Sequence, residues 1–344
     1  MMLKRIGKQA AVRGIHMAGP SLWPLLMHLP YIGRFAKALE LHRNPFCMEL
    51  PLSGTLLRWP LPIVMPTLPG RTGDDVPPAI IQQSAILDWS GKRVALIAHW
   101  DPKGKIAAYV RYYAQKLRDA GFAVILTSSD AVALPDDIAA LPFHAIVYRD
   151  CPGYDFSSWK AALKIFPSLF LAEELLLTND SIFGPVGDLA PLLESMQAVD
   201  CDFWGLIESH ALAPHLQSFF LLFKRDALVH PAFREFWETV GTSQEKRDSI
   251  GYETRLSGWL AGHDLRGAAR FPLSMFRPST LNPSHYAWDS LLQTGQFPFV
   301  KRELLFQNPY TVPLAALREL LSNNAYPSPF IQEYADRNGL TPLQ

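Results

Sequence analysis

Short apolar runs separated by helical segments set the pattern of the chain from Arg93 onward. Strands are predicted where roughly four to eight apolar residues are bounded by turn-forming residues, and helices where apolar residues recur at three- and four-residue spacing. The predicted strands cover residues 94–100, 122–127, 145–148, 175–178 and 202–207, and the helices between them cover 106–120, 159–166 and 189–198. Strands that alternate with helices predict right-handed crossovers and a mainly parallel sheet.

The alternation stops after residue 207. Residues 216–223 (LQSFFLLF) predict a strand that no helix separates from the preceding one, so an antiparallel or mixed element is expected in the sheet. Further helices are predicted over 232–240, 253–261 and 288–293, with a short strand within 266–276. The predicted fold class is therefore α/β, with a mixed, mainly parallel sheet flanked by helices.

The two ends of the chain differ from this region. We interpret the proline-rich residues 1–90 as an N-terminal extension, residues 91–312 as the α/β domain and residues 313–344 as a helical tail. Four basic residues among the first 13 precede an apolar stretch, which predicts either contact with an anionic membrane surface or a packing arm. No apolar run approaches the roughly 20 residues that span a bilayer, and no signal-peptide cleavage pattern is expected.

Composition narrows the function classes. Lys+Arg and Asp+Glu are both 32, so the formal net charge of zero gives no reason to propose nucleic acid as a partner. Cys47, Cys151 and Cys201 are far apart and form no CxxC pair, which argues against a zinc site or a disulfide framework and favours a cytoplasmic location. With 49% hydrophobic residues over 344 positions, the chain is long and apolar enough to bury a substantial core.

Several catalytic motifs are missing from the sequence. Residues 101–105 (DPKGK) follow a strand, but a Walker loop would need glycine at His99 and serine or threonine at Ile106. The chain also has no GxGxxG, no GxSxG and no HExxH. The sequence therefore argues against a P-loop nucleotidase and against a dinucleotide-dependent dehydrogenase. It also argues against a serine hydrolase with a GxSxG motif and a zinc protease with an HExxH motif.

Residues 173–185 (EELLLTNDSIFGP) carry the strongest signal for a site. A buried strand stops there in Asn179, Asp180 and Ser181, and ligands of open α/β sheets bind outside the carboxyl ends of such strands. A carboxylate flanked by an amide and a hydroxyl can bind a divalent cation or a ribose. The same residue types most often form a turn or cap a helix, so the residues alone leave both interpretations open.

Other polar side chains follow the ends of neighbouring predicted strands. They are His99, Asp101, Arg149, Asp150, Glu208 and His210. The carboxyl ends of parallel strands meet at one edge of a sheet, so we expect these side chains to line one cleft. A sugar-nucleotide site needs such a set, because a diphosphate leaving group requires a cation or basic side chains and an acceptor hydroxyl requires a carboxylate to remove its proton.

Between Arg93 and Pro309 the chain carries a series of short motifs, the first of them at Arg149. In chain order they are Arg149 with GYDF and WK, LLTNDS with GP, DFWGL, HLQSFF, PAF with FW, YE, NPSH, WD, PFVKRELL and NP. Their order and spacing resemble the rhamnan synthesis protein F family, bacterial glycosyltransferase-like proteins of surface polysaccharide assembly. The resemblance implies a GT-A-like nucleotide-sugar fold, a dTDP-rhamnose-like donor and a glycan or lipid-linked saccharide acceptor, with peripheral contact to the inner membrane.

The resemblance also implies roles for individual residues. Glu253, predicted at the start of a helix, is expected to deprotonate the acceptor hydroxyl, although a first-turn glutamate stabilised by the helix dipole is the alternative. Asp180 is expected to contact a metal or the ribose-phosphate. The expected donor-binding residues are His99, Asp101, Arg149, Asp155, Asn179, Ser181, Lys301 and Arg302, and the expected acceptor-binding residues are Gln217 and Ser218.

A divalent cation, Mg²⁺ or Mn²⁺, is left open. Many GT-A enzymes place Asp-x-Asp after this strand, whereas this chain has only Asn179-Asp180, so a site without metal is the alternative. His285 is a candidate second ligand beside Asp180, because a hard cation bound to diphosphate often takes one imidazole, but a packing role is as well supported. The alternative function is a non-catalytic carbohydrate-binding or glycan-assembly protein that retains the fold.

Overall fold

The structure is a computed structural model that describes most of the chain after residue 87. The described residues are 55–57, 75–76, 79–84, 86, 88–134, 136, 140–151, 153–209, 214–242, 246–276, 282–308, 321, 323 and 326–341. The predicted membrane-contact segment, most of the proline-rich extension and His210 lie outside them. No helix of the described part is long and apolar enough to cross a membrane.

A twisted sheet forms the centre of the described fold. Its strands and those of a small additional pair are β1 (Thr55–Leu57), β2 (Ile80–Ser84), β3 (Arg93–His99), β4 (Ala123–Ser128), β5 (Ala145–Tyr148), β6 (Glu174–Asn179), β7 (Ile182–Phe183), β8 (Phe203–Ser209), β9 (His215–Leu216), β10 (Phe220–Lys224), β11 (Gly267–Phe271) and β12 (Val300–Lys301). The sheet order is β1-β11-β8-β10-β6-β3-β4-β5-β2, with β9 added to β8, and β7 pairs with β12.

The direction of the strands confirms a mixed sheet with a parallel centre. Strands β6, β3, β4 and β5 run parallel to one another, as do β8 and β11. Strand β10 runs antiparallel between β6 and β8, which is the antiparallel element predicted from residues 216–223. That predicted strand is split into β9 and β10 because residues 217–219 turn away from β8 between them.

Helices cover both faces of this sheet. They are α1 (Ala108–Asp119), α2 (Asp155–Ile165), α3 (Ala190–Gln197), α4 (Arg225–Val229), α5 (Pro231–Thr239), α6 (Lys246–Ala261), α7 (Pro283–Tyr286), α8 (Trp288–Gln293), α9 (Arg302–Phe306) and α10 (Ser328–Asn338). Helix α1 buries Tyr109, Tyr113 and Leu117, which share one face at four-residue spacing. It ends before Gly121, whose φ of 87° suits the left-handed residue that commonly follows a helix.

The apolar residues of the central strands alternate between two cores. In β3, Ala95 and Ile97 join the core that contains α1, whereas Val94 and Leu96 join the core that contains α2 and α5. Because both faces of the sheet are covered, the strands read as continuous apolar runs rather than as an apolar–polar alternation. Two described strands before residue 91 belong to the same sheet, since β1 pairs with β11 and β2 with β5.

A buried hydroxyl joins β6 to its surroundings, and its removal is expected to be costly. The Thr178 hydroxyl donates to the Phe219 carbonyl at 2.6 Å and lies 2.9 Å from the Tyr113 hydroxyl. Thr178→Val is expected to lower the free energy of unfolding by about 1–3 kcal/mol, because the buried carbonyl loses its hydrogen bond. Chemical denaturation measures this. The control is Thr254→Val, whose hydroxyl donates to carbonyls of its own helix. Equal losses in both variants would contradict the prediction.

Candidate functional site

The carboxyl ends of β3 and β6 meet at the point where the order of the strands reverses. The chain proceeds from β3 to β4 and β5 on one side, and then places β6 on the other side of β3. Ligands of open α/β sheets bind in the crevice at such a switch point. The Asp180 backbone N–H donates to the Ala98 carbonyl at 3.1 Å, and the Trp100 N–H donates to Asp180 Oδ2 at 3.1 Å. Asp180 therefore lies at the crevice.

Asn179, Asp180 and Ser181 form a hydrogen-bonded turn at this position. Asn179 Oδ1 accepts from the Ser181 backbone N–H at 3.1 Å and also from the Ser181 hydroxyl. The Asn179 amide donates to Asp155 Oδ2 at 2.7 Å. The side chain of Asn179 thus connects the turn after β6 to Asp155, the first residue of α2, and holds two carboxylates on one rim of the sheet.

Arg302 binds the same turn from the other side. Its Nη1 donates to the Asp180 carbonyl oxygen and to the Tyr109 hydroxyl, both at 2.7 Å, and lies 3.5 Å from Asp180 Oδ1. The guanidinium carbon lies 4.7 Å from the centroid of the Tyr334 ring in α10. Within the described part of the chain the hydrogen bonds of this guanidinium all come from Nη1, which leaves Nε and Nη2 to bind an anionic ligand.

Asp155 lies in an environment that favours its protonated form. Burial raises the pKa of its carboxyl to about 6, and the negative charges of Asp180 and Glu253 act in the same direction. The hydrogen bond from Asn179 and the positive charge of Lys301 act against that shift. The three carboxylates and Lys301 therefore interact electrostatically, although they come from distant parts of the sequence.

Glu253 is held by Ser218, but it does not begin a helix. Glu253 Oε1 accepts from the Ser218 backbone N–H at 2.7 Å and from its hydroxyl at 2.8 Å. Helix α6 begins at Lys246, so the prediction that Glu253 occupies the first turn is wrong, and stabilisation by the helix dipole does not explain it. The two expected acceptor-side residues, Glu253 and Ser218, are thus brought together, with the donors of Ser218 engaged by the carboxylate.

Gln217 and His285 belong to a neighbouring polar group around Asn282. Asn282 Oδ1 accepts from Gln217 Nε2 at 2.9 Å and lies 3.1 Å from His285 Nδ1. His285 Nε2 lies 3.6 Å from Glu303 Oε2, and burial lowers the pKa of the imidazole. These contacts correspond to the packing role that was the alternative for His285.

The carboxylates do not form a cation site in the described part of the chain. No three His, Cys, Asp or Glu side chains come together there in an arrangement that could hold a metal ion. The Asp180 carboxylate instead contacts the Trp100 N–H and Arg302, and His285 contacts Asn282. Both candidate ligands of Mg²⁺ or Mn²⁺, Asp180 and His285, thus have protein partners in this structure, and the cation stays a prediction.

The two residues expected after β3 have different surroundings. His99 is buried, with Nδ1 3.3 Å from the Ser128 hydroxyl, and burial lowers the pKa of its imidazole. Asp101 Oδ1 accepts from the backbone N–H groups of Lys103 and Lys105, and Asp101 Oδ2 forms a 2.6 Å ion pair with Arg337. Asp101 therefore stabilises the loop after β3 by hydrogen bonds and joins it to α10 through the ion pair with Arg337.

Arg149 forms hydrogen bonds with the loop before α2 and with the first turn of that helix. The side chain is buried, and its Nε donates to the Ser158 hydroxyl at 3.0 Å. Its terminal nitrogens donate to the carbonyl oxygens of Cys151 and Gly153. Arg149 thus positions the N-terminus of α2, and with it Asp155, and its donors are engaged before any diphosphate is bound.

Sequence reasoning missed the contribution of the C-terminal helix α10. Arg337 pairs with Asp101, Glu333 Oε1 accepts from the Ala108 N–H at 3.4 Å, and the Tyr334 ring packs edge-on against Tyr109. The recurrence of aromatic residues at 326, 330 and 334 was a signal for a docked helix. Nothing in that spacing indicates that its polar residues reach the loop after β3.

Comparison with known proteins agrees with the resemblance noted in the sequence. The sequence profile described as Rhamnan synthesis protein F matches residues 126–340, which include the turn after β6, Glu253 and the Lys301-Arg302 pair. The virulence protein VirA of Vibrio anguillarum is 25% identical over 247 residues, which cover 62% of this chain and 79% of VirA. A second VirA sequence from the same species matches to the same extent. Since the profile covers more than half of the chain, the chain belongs to the rhamnan synthesis protein F family.

Proposed function

We propose that this chain is a GT-A-like glycosyltransferase of polysaccharide synthesis. It transfers a sugar from a nucleotide-diphosphate donor to a lipid-linked or growing cell-surface glycan. The family description favours a rhamnosyl or related deoxyhexosyl residue. The observation that carries the proposal is the convergence of Asp180, Arg302 and the Asp155 carboxylate at the switch-point crevice between β3 and β6.

The donor is bound at the turn after β6. Arg302 offers Nε and Nη2 to the oxygens of the diphosphate, and its positive charge stabilises the negative charge that develops on the leaving group. Asp180 keeps Arg302 in place and presents its remaining carboxylate lone pairs to the ribose. His99 and Asp101, at the end of β3, are proposed to contact the nucleoside, because ligands bind outside the carboxyl ends of these strands.

Glu253 is the proposed base on the acceptor side. Its Oε1 is fixed by Ser218, so its Oε2 takes the proton of the acceptor hydroxyl. The hydroxyl oxygen forms a bond to the anomeric carbon of the donor sugar. The bond between that carbon and the diphosphate oxygen breaks, and its electrons leave with the nucleotide diphosphate. The reaction is a direct displacement in which the protein supplies positions and charges.

A non-catalytic carbohydrate-binding protein is the second candidate. It is favoured by the turn after β6, which has a single carboxylate whose oxygens already contact Trp100 N–H and Arg302. A panel of nucleotide sugars, assayed for transfer and for slow hydrolysis, separates the two. An enzyme consumes at least one donor, whereas a binding protein binds glycan and leaves every donor intact. For either candidate we propose a cytoplasmic location with peripheral contact to the inner membrane.

Asp180→Asn tests the donor site. The asparagine keeps the size of the side chain and an acceptor for the Trp100 N–H, but it loses the charge that faces Arg302. We expect the Kd for dTDP-rhamnose, or for the best donor of the panel, to rise about tenfold or more, since a hydrogen bond to a charged group is lost. Isothermal titration with and without Mg²⁺ or Mn²⁺ measures it.

The matched control for this test is Asp188→Asn. Asp188 is exposed and accepts a hydrogen bond from the Ala190 N–H at the start of α3, away from the crevice. Its substitution is expected to leave donor binding unchanged. If Asp180→Asn leaves both donor binding and transfer at the level of the unmodified protein, the assignment of the donor site is wrong.

A further inference from the structure

The neighbouring cations Lys301 and Arg302, at the end of β12 and the start of α9, have different partners. The Arg302 backbone N–H donates to the Ser181 carbonyl at 2.9 Å, which ties the end of β12 to the turn after β6. Lys301 ends β12 and Arg302 begins α9, and their side chains make separate contacts. Arg302 reaches Asp180. Lys301 instead lies over the Phe219 ring, with Nζ 4.0 Å from the ring centroid.

The ammonium of Lys301 is partly buried and forms no hydrogen bond with the described residues. Among the described residues, its close contact is with the Phe219 ring, and no carboxylate lies within ion-pair distance. Burial lowers the pKa of the ammonium to about 8, and Lys246 acts in the same direction. The negative charges of Glu253, Asp155 and Glu303 oppose this shift. A cation with three N–H donors therefore faces acidic groups without binding any of them directly.

The Glu253 carboxylate is placed by the residue that precedes this ring. Ser218 donates to Glu253 Oε1 from its N–H and its hydroxyl, and the ring of the next residue, Phe219, contacts the Lys301 ammonium. In the described part of the chain, Oε1 is the oxygen of this carboxylate that accepts hydrogen bonds. The Lys301 ammonium, a donor, and the Glu253 carboxylate, an acceptor, therefore contact the consecutive residues Phe219 and Ser218. A sugar hydroxyl, which accepts one hydrogen bond and donates another, matches this pair.

We propose that Lys301 binds the acceptor hydroxyl, donating to its oxygen while the hydroxyl proton faces Glu253. This inference rests on the proposed function and changes one expected role, because Lys301 then serves the acceptor and leaves the diphosphate to Arg302. The ligand class is a saccharide with a free equatorial or axial hydroxyl at its growing end. The separate contacts of the two cations, Arg302 with Asp180 and Lys301 with the Phe219 ring, are the observation that assigns them to different substrates.

The reaction step balances with this assignment. The O–H bond of the acceptor breaks and its proton goes to Glu253. The oxygen, with the electron pair of that bond, attacks the anomeric carbon, and the nucleotide diphosphate leaves with the electrons of the donor bond. A positive charge next to the attacking oxygen favours the loss of its proton, because it stabilises the negative charge that develops there. Lys301 keeps its own proton throughout.

Lys301→Met tests the inference with dTDP-rhamnose as donor and an alkyl rhamnoside as acceptor. We expect the KM for the acceptor to rise about tenfold or more while the KM for the donor and the slow hydrolysis of the donor stay unchanged. Lys301→Arg keeps the charge and controls for folding. The matched control is Lys116→Met, another partly buried lysine that lies over an aromatic ring, with Nζ 5.6 Å from the Tyr112 centroid.

The dependence of transfer on pH gives a second readout that a packing role would not produce. The ammonium of Lys301, whose pKa is about 8, loses its charge as the pH rises through that value. Transfer at a subsaturating acceptor concentration is therefore expected to fall above about pH 8 in the unmodified protein, because the KM for the acceptor rises. In Lys301→Arg, which stays charged, this fall is expected to disappear.

The outcomes separate this inference from the proposed function. If the unmodified protein transfers sugar and the acceptor KM is unchanged in Lys301→Met, the inference is wrong and the proposed function stands. A raised donor KM with an unchanged acceptor KM also overturns it and returns Lys301 to the diphosphate. Unmodified protein that consumes no nucleotide sugar of the panel overturns the proposed function and the inference with it.

Discussion

Replacing Glu253 with glutamine is expected to lower the rate of sugar transfer by about 10²–10⁴-fold and to leave the fold intact. Glutamine keeps an oxygen at the position of Oε1, so it still accepts from the N–H and the hydroxyl of Ser218. It cannot take the proton of an acceptor hydroxyl. Steady-state transfer assays at saturating donor measure the loss, and thermal unfolding measures the fold.

The pattern of the loss identifies the role of Glu253. A base acts in the transition state, so kcat is expected to fall while the Kd for the donor remains unchanged. Glu235→Gln, on the exposed side of α5, is the matched control and is expected to transfer sugar at the unmodified rate. Full activity in Glu253→Gln would show that another group removes the proton, and Asp155, whose carboxyl interacts electrostatically with Glu253, is the candidate to test next.

The central strands and the position of the crevice could be predicted because local sequence specifies them. The strands β3, β4, β5 and β6 are apolar runs bounded by turn residues, and Asn179 to Ser181 are residue types that end a strand. The carboxyl ends of parallel strands must share an edge, so Asp180 and the residues after β3 were expected together. Their contact through the Trp100 N–H agrees with that expectation.

Other features depend on contacts that no local pattern encodes. The first turns of α6 (KRDSIG) carry no apolar stripe and contain Gly251, so propensity placed the start of the helix too late and Glu253 in its first turn. The position of Arg149 after a strand predicted a donor contact, but that pattern gave no sign of its hydrogen bonds to the Cys151 and Gly153 carbonyls. The pairing of Arg337 with Asp101 joins residues 236 positions apart. Such pairs follow from tertiary packing.

Replacing Arg302 with methionine is expected to affect both stability and transfer. The guanidinium is the group that binds the Asp180 carbonyl, the Asp180 carboxylate and the Tyr109 hydroxyl together. Methionine keeps an apolar stem beside Tyr334 but leaves the partly buried carboxylate without its cation. We expect the free energy of unfolding to fall by about 3 kcal/mol, at the low end for a broken buried pair, because 22% of the Arg302 side chain is exposed.

The effect of Arg302→Met on transfer is expected to exceed what the lost stability explains. Its charge is proposed to stabilise the leaving diphosphate, and removal of one such group lowers kcat by about 10²–10³-fold. Arg234→Met is the matched control, since Arg234 lies 4.6 Å from the Phe170 centroid but is exposed and forms no ion pair in the described structure. Transfer is measured well below the unfolding temperature of each variant. A variant that is destabilised but transfers sugar at the normal rate would limit Arg302 to holding the turn, and the diphosphate would then need a different cation.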